Sequence, residues 1–127
     1  MYLLDTNILI YHLNRSIPVQ SIEKIRQILK NHFNISIISK MELLGFRGHS
    51  PQSYKKSESF LENAAIIGLD DEIVDTVIQL RKNKSIKLPD AIIAATARVN
   101  HWTLVTRNEN DFSGIELTIL NPFAGSR

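Results

Sequence analysis

Residues 88–112 read LPDAIIAATARVNHWTLVTRNENDF, and their order decides the fold. The Ala- and Ile-rich stretch 89–99 opens with a proline and an acid, which favour a first helical turn and predict a helix. The segment 103–106 (TLVT) is short and β-branched and predicts a strand. The polar run NEND follows at once as a turn. A helix feeding directly into a strand is half of a βαβ unit.

The same alternation extends outward. Residues 2–4 form a short apolar run that ends at Asp5 and predict a first strand, with a helix starting over 8–13. Over 20–33, Ile22, Ile25, Leu29 and Phe33 share one helical face. Residues 34–39 (NISIIS) predict a second strand and 39–46 a helix ended by Gly45 and Gly48. An amphipathic helix follows over 51–64, anchored by Tyr54, Phe60 and Leu61, then a third strand over 65–69. Asp70 caps a helix over 70–82 that turns Ile73, Val74, Val77, Ile78 and Leu80 inward. A fifth strand lies at 116–120. Strands separated by helices predict an α/β fold with a mostly parallel sheet of about five strands and helices on both faces. At 127 residues, one domain spanning 1–127 is expected.

Composition narrows the chemistry. Hydrophobic residues make up 43% and charged residues 22%, as in an ordinary globular protein. With no cysteine, disulfides, thiolate zinc sites and thiol nucleophiles are excluded. The four histidines, His12, His32, His49 and His101, show no pairing at metal spacing. No apolar run approaches the roughly 20 residues of a membrane span, and Asp5 interrupts the apolar start, so a cytoplasmic protein is the expectation.

Ligands of parallel α/β sheets bind beyond the carboxyl ends of the strands. Four acids follow strands or open the next helix: Asp5, Glu42, Asp90 and Asp111. Gathered together, such carboxylates repel one another, and a divalent cation removes that cost. Oxygen ligands suit Mg²⁺ or Mn²⁺, which activates water for attack on a phosphodiester and stabilises the leaving oxygen. Each acid also has a structural reading. Ser39-x-x-Glu42 has the form of a capping box, Asp5 caps a helix, Asp90 complements a helix dipole, and Asn108-x-x-Asp111 caps a turn. What those readings leave unexplained is that all four acids follow strand-like segments.

The strings LLDTNILIYHL, SKMELLG, LPDAIIAATA and TLVTRNENDF together resemble a PIN domain, most nearly the single-domain VapC-type toxins of bacterial and archaeal toxin–antitoxin pairs. The resemblance runs from the first strand to the last. It implies a three-layer α/β/α sandwich, a Mg²⁺- or Mn²⁺-dependent endoribonuclease activity, a small cognate antitoxin and a homodimer. It makes Asp5 the central metal ligand and Glu42, Asp90 and Asp111 its companions in catalysis, with Thr6 and Asn7 orienting carboxylates or water. Many relatives carry another Asp two residues before the last acid, where this chain has Glu109. Asn108 is an amide alternative, so Asn108, Glu109 or neither reaches the metal.

Charge is segregated along the chain. Arg81, Lys82, Lys84 and Lys87 lead into Asp90 with no acid among them, while 58–75 holds six acids and no base. With Arg47 and Arg107, these bases are candidates to hold RNA phosphates. Setting the four proposed ligands aside leaves 9 acids against 15 bases, so the net charge of +2 understates how basic the remaining surface is. Two other classes fit the first motif. A haloacid-dehalogenase-like phosphatase also starts with an Asp after its first strand, but its chemistry favours an acid where Asn7 stands. A PIN fold without catalysis, kept for binding, would not need four acids.

Overall fold

A computed structural model describes residues 1–124; the single-domain expectation also covers 125–127, which lie outside the described residues. The chain runs β1 (Tyr2–Leu4), α1 (Thr6–Leu13), α2 (Val19–Asn31), β2 (Asn34–Ser36), α3 (Ile37–Leu44), α4 (Pro51–Leu61), β3 (Ala65–Ile67), α5 (Asp71–Asn83), α6 (Leu88–Asn100), β4 (Thr103–Val105) and β5 (Ile119–Leu120). Every strand pairing is parallel. The order β1-β4-β5 forms one ladder and β2-β3 a second. The expected sheet of about five strands is therefore divided into three and two. At the divide, Asn34 Nδ2 donates to the Tyr2 carbonyl at 2.9 Å, so a buried side chain joins β2 to β1.

Alternation along the strands builds the layers. Leu3 and Leu104 face a core closed by Ile73, Val77 and Leu80 of α5 and by α6. Their neighbours Leu4 and Val105 face the opposite core, with Ile8 and Leu9 of α1, Ile25 and Ile28 of α2, Leu43 of α3 and Leu61 of α4. This is the expected α/β/α sandwich. Residues Ala91 to Ala97 are all buried, because the alanines let α6 lie close to both β-strands and α5. No helix among the described residues is long and apolar enough to cross a membrane.

Several local expectations are corrected. The second strand stops at Ser36, whose hydroxyl accepts from the Ile38 amide and caps α3. Ser39 is thus inside the helix and fully buried, and the Ser39–Glu42 capping box does not form. The run NISIIS looks uniformly β-branched, but a serine able to accept from an amide ends the strand early. A capping box does form between Ser50 and Ser53 at the start of α4, a helix that stops at Leu61 rather than 64. Helix α1 begins at Thr6, two residues earlier than read, because Asp5 caps it directly. Phe33 lies beyond the end of α2 but is buried in the same core as Ile25 and Ile28. Val74 and Ile78 of α5 face outward, since Ile73, Val77 and Leu80 alone fill its narrow inner stripe. Tyr54 is exposed rather than an anchor of α4. The third strand ends at Ile67 and the fifth spans only Ile119–Leu120, each shorter than read.

Candidate active site

Asp5 stands at the carboxyl end of β1, and Thr106 is one step past β4. The ladder register Leu4↔Val105 sets the two side by side. Thr106 Oγ1 donates to Asp5 Oδ2 at 2.8 Å, Asn7 Nδ2 donates to the same oxygen at 3.0 Å, and the Thr6 amide donates to Oδ1 at 2.7 Å. The last bond is the helix cap of α1, so Asp5 performs its structural role and is fixed in place by it. Burial pushes its carboxyl up from 3.8 to about 6; the bonds from Thr106 and Thr6 pull down, while the charges of Asp90 and Glu42 push up.

A second relay leads to Glu42. The Thr6 hydroxyl lies 2.7 Å from Glu42 Oε1 and 2.8 Å from Ser39 Oγ. A carboxylate accepts only, so the single Thr6 proton goes to Glu42 and Ser39 supplies its own to Thr6. Ser39 is thus tied to Glu42 through Thr6 rather than through a helix cap. Glu42 itself sits on an exposed turn of α3.

Asp90 occupies the first turn of α6 and Asp111 the short 3₁₀ turn Glu109–Phe112, where Phe112 is buried as its anchor. Burial raises the Asp90 carboxyl, and Asp111 and Glu42 raise it further against a smaller opposing effect of Lys87. Asp5, Glu42, Asp90 and Asp111 all line one cavity of about 610 Å³. Thr6, Asn7 and Asn108 line it as well. The Asn108 side chain makes no cap bond to the turn it opens. Glu109 instead accepts from Asn121 Nδ2 at 2.9 Å and does not line the cavity.

The acids surround an open cavity without closing on a point: among the described residues, no three acidic or histidine side chains form a ready cation cluster. The donor chemistry still fits a hard divalent cation. The donors are all oxygen, and each of the two carboxylates held above its ordinary range feels two of the other acids. A cation relieves that repulsion.

The basic candidates are not gathered here. Arg47, Arg81, Lys82 and Lys84 do not line the cavity, and Lys84 donates to the Ser113 carbonyl at 3.1 Å. Lys87 precedes Asp90 and acts on it by charge alone. Arg107 donates to the Tyr11 hydroxyl at 2.9 Å, with its guanidinium 4.4 Å from the centre of the Phe123 ring, while its amide donates to Asn7 Oδ1. Reading the sequence missed Thr106 and took Ser39 only for a helix cap. Thr106 was findable as the polar residue at the end of β4, opposite Asp5. Lys56 lines the cavity from α4, and nothing in the sequence distinguished it from Lys55.

Comparison with known proteins follows this geometry. The PIN domain family model matches residues 2–116. Among solved structures, a toxin–antitoxin complex from Klebsiella pneumoniae is similar at 31% identity and TM-score 0.77, covering 96% of this chain and 98% of that one. VapBC2 from Rickettsia felis, bound to a DNA fragment from its promoter, is similar at 29% identity and TM-score 0.79, with 94% and 97% covered. VapBC-1 from nontypeable Haemophilus influenzae is similar at 27% identity and TM-score 0.80, with 96% and 98% covered. No curated protein matches.

Proposed function

The chain belongs to the PIN domain family, and from that premise we propose that it is the toxin of a toxin–antitoxin pair, a nuclease of the VapC type that cuts RNA with Mg²⁺ or Mn²⁺. Family membership displaces the phosphatase reading. One observation carries the proposal: four carboxylates from four separated segments line one cavity, and two of them are pushed above their ordinary range. A binding module has no use for that repulsion.

In this reading Asp5, Glu42, Asp90 and Asp111 hold the cation. When bound, it supplies the positive charge that favours ionisation of a water and steadies the phosphodiester oxygens. Asp5 is the fixed member, since three donors set its orientation. Thr6 holds Glu42 toward the cavity through its hydroxyl. Asn7 and Asn108 present amides at the same wall, Asn7 as a donor to Asp5 and Asn108 as a free polar end for a phosphate or a water. Water adds at phosphorus and the 3′ oxygen leaves, giving a 5′-phosphate and a 3′-hydroxyl. The partners are RNA, a small cognate antitoxin and a second copy of the chain, and the compartment is the cytoplasm.

The test is cleavage of single-stranded RNA by the purified chain with Mn²⁺, with Mn²⁺ plus chelator, and by Asp90→Asn. The expected result is cutting only by the wild type with free metal, with Asp90→Asn slowed at least about 100-fold. Cutting that survives both chelation and Asp90→Asn would overturn the reading.

A further inference from the structure

A second groove, of about 570 Å³, lies among α1, α2 and α4. Its floor is apolar, built from Ile17, Ile22 and Ile25, and every titratable residue on its wall is basic: His12, Arg15, Arg26 and Lys56. Leu13 and Lys56 line both this groove and the acid cavity, so the two are joined at a shared wall. None of Arg47, Arg81, Lys82, Lys84, Lys87 and Arg107 lies here.

We infer that this groove carries the RNA strand away from the cleavage site, with Arg15, Arg26 and Lys56 meeting backbone phosphates and the isoleucine floor meeting sugar and base faces. The inference rests on the nuclease reading above. Charge complementarity decides the occupant: a wall of cations with no acid, opening from a cavity suited to a phosphodiester, fits a polyanion that continues past the cut. Two further observations support it. His12 is held below its ordinary value by burial and then by the charges of Arg26 and Lys56, which stand beside it on the groove wall. Arg15 has φ of 56°, a left-handed conformation that glycine adopts freely and that strains a side-chain-bearing residue. An arginine in a conformation that favours glycine is a strained position, and such strain accompanies functional side chains.

That strain supplies the test. Arg15→Gly removes the charge and relieves the backbone, so a purely structural arginine and an RNA-binding one give opposite signatures. The full chain is titrated with fluorescein-labelled single-stranded RNA in EDTA over a series of salt concentrations, beside thermal melts. Arg15→Gly is expected to melt at or above the wild-type temperature, yet to lower the slope of log affinity against log salt by about 0.7, the value for one phosphate contact on a single strand. Arg26→Gln is expected to lower it by the same amount, and the pair by about 1.4. Arg15→Lys should restore the slope. Unchanged slopes in wild-type-like folded variants overturn the inference. So does a polyglutamate peptide that binds in an Arg15-dependent way while the RNA slope holds, which assigns the groove to an acidic protein segment. Wild type that cuts RNA with Mn²⁺ while the slopes stay fixed separates failure of the groove from failure of the nuclease reading.

Discussion

Thr106 and Asp5 are 101 positions apart in sequence and 2.8 Å apart in space, with the threonine hydroxyl donating to the buried carboxylate. The bond exists because β1 and β4 run parallel and in register, so the residue after each strand meets the other. It favours the charged form of Asp5 against a burial that disfavours it. Thr106→Val keeps the shape and removes the donor. The Asp5 titration midpoint, followed by NMR in the metal-free protein, is expected to move above about 6, and the acidic limb of the cleavage profile to move up with it. An unmoved midpoint would show that Asn7 and the Thr6 amide already satisfy the carboxylate.

The raised Asp5 value sets a sign for stability. Between 3.8 and about 6 the unfolded chain has released the proton and the folded chain keeps it, so the metal-free protein loses stability as pH rises through that window. The full span corresponds to about 3 kcal/mol. Asp90 acts in the same direction, while His12, with its value held low, acts in the opposite one. The difference between wild type and Asp5→Asn in urea unfolding at pH 4 and pH 7 isolates the Asp5 share. Saturating Mg²⁺ is expected to flatten the curve, because the cation binds the ionised acids, and cleavage is expected to fall below about pH 6 for the same reason.

Thr6 is the hinge between two acids. Its amide holds Asp5 and its hydroxyl holds Glu42. Thr6→Val leaves the amide bond intact and frees Glu42, so cleavage is expected to drop about 10- to 100-fold with a higher metal requirement, while Asp5 titrates nearly as before. Thr6→Ser should recover most of the activity. Loss of activity in both variants with no change in metal requirement would assign Thr6 to packing.

The acids were legible in the sequence because each stands beside apolar segments whose strand-then-helix pattern fixes its location at one edge of the sheet. Asp5 and Asp90 owe their places to local chemistry, a helix cap and a first helical turn, which short-range rules read well. What failed was anything that depended on pairing across the chain. Ser39 looked like a cap for its own helix and is instead a partner of Thr6, 33 positions away. The bases that crowd 81–87 lie close to Asp90 in sequence, yet none of them lines the acid cavity, whereas Lys56 lines it from α4 and Arg26 lines the adjoining groove from α2. The division of the sheet was illegible too, and so was the side-chain bond of Asn34 that spans it.

That amide carries the last prediction. Asn34 is buried between the two ladders, and its Nδ2 donates to the Tyr2 carbonyl at 2.9 Å and, at 3.4 Å, to the His32 carbonyl. No backbone ladder ties β2 to β1, so the link depends on this side chain and on apolar packing. Asn34→Val fits the strand but leaves a buried carbonyl without its donor, an expected cost of about 1–3 kcal/mol. The loss should be local. Hydrogen exchange is expected to quicken first in β2 and β3, with the β1–β4 amides changing least from their wild-type protection. Because β2 leads directly into α3, which carries Glu42, cleavage should decline along with that local protection even at temperatures where the fold persists. Uniformly faster exchange across all five strands would instead show the two ladders opening as one unit.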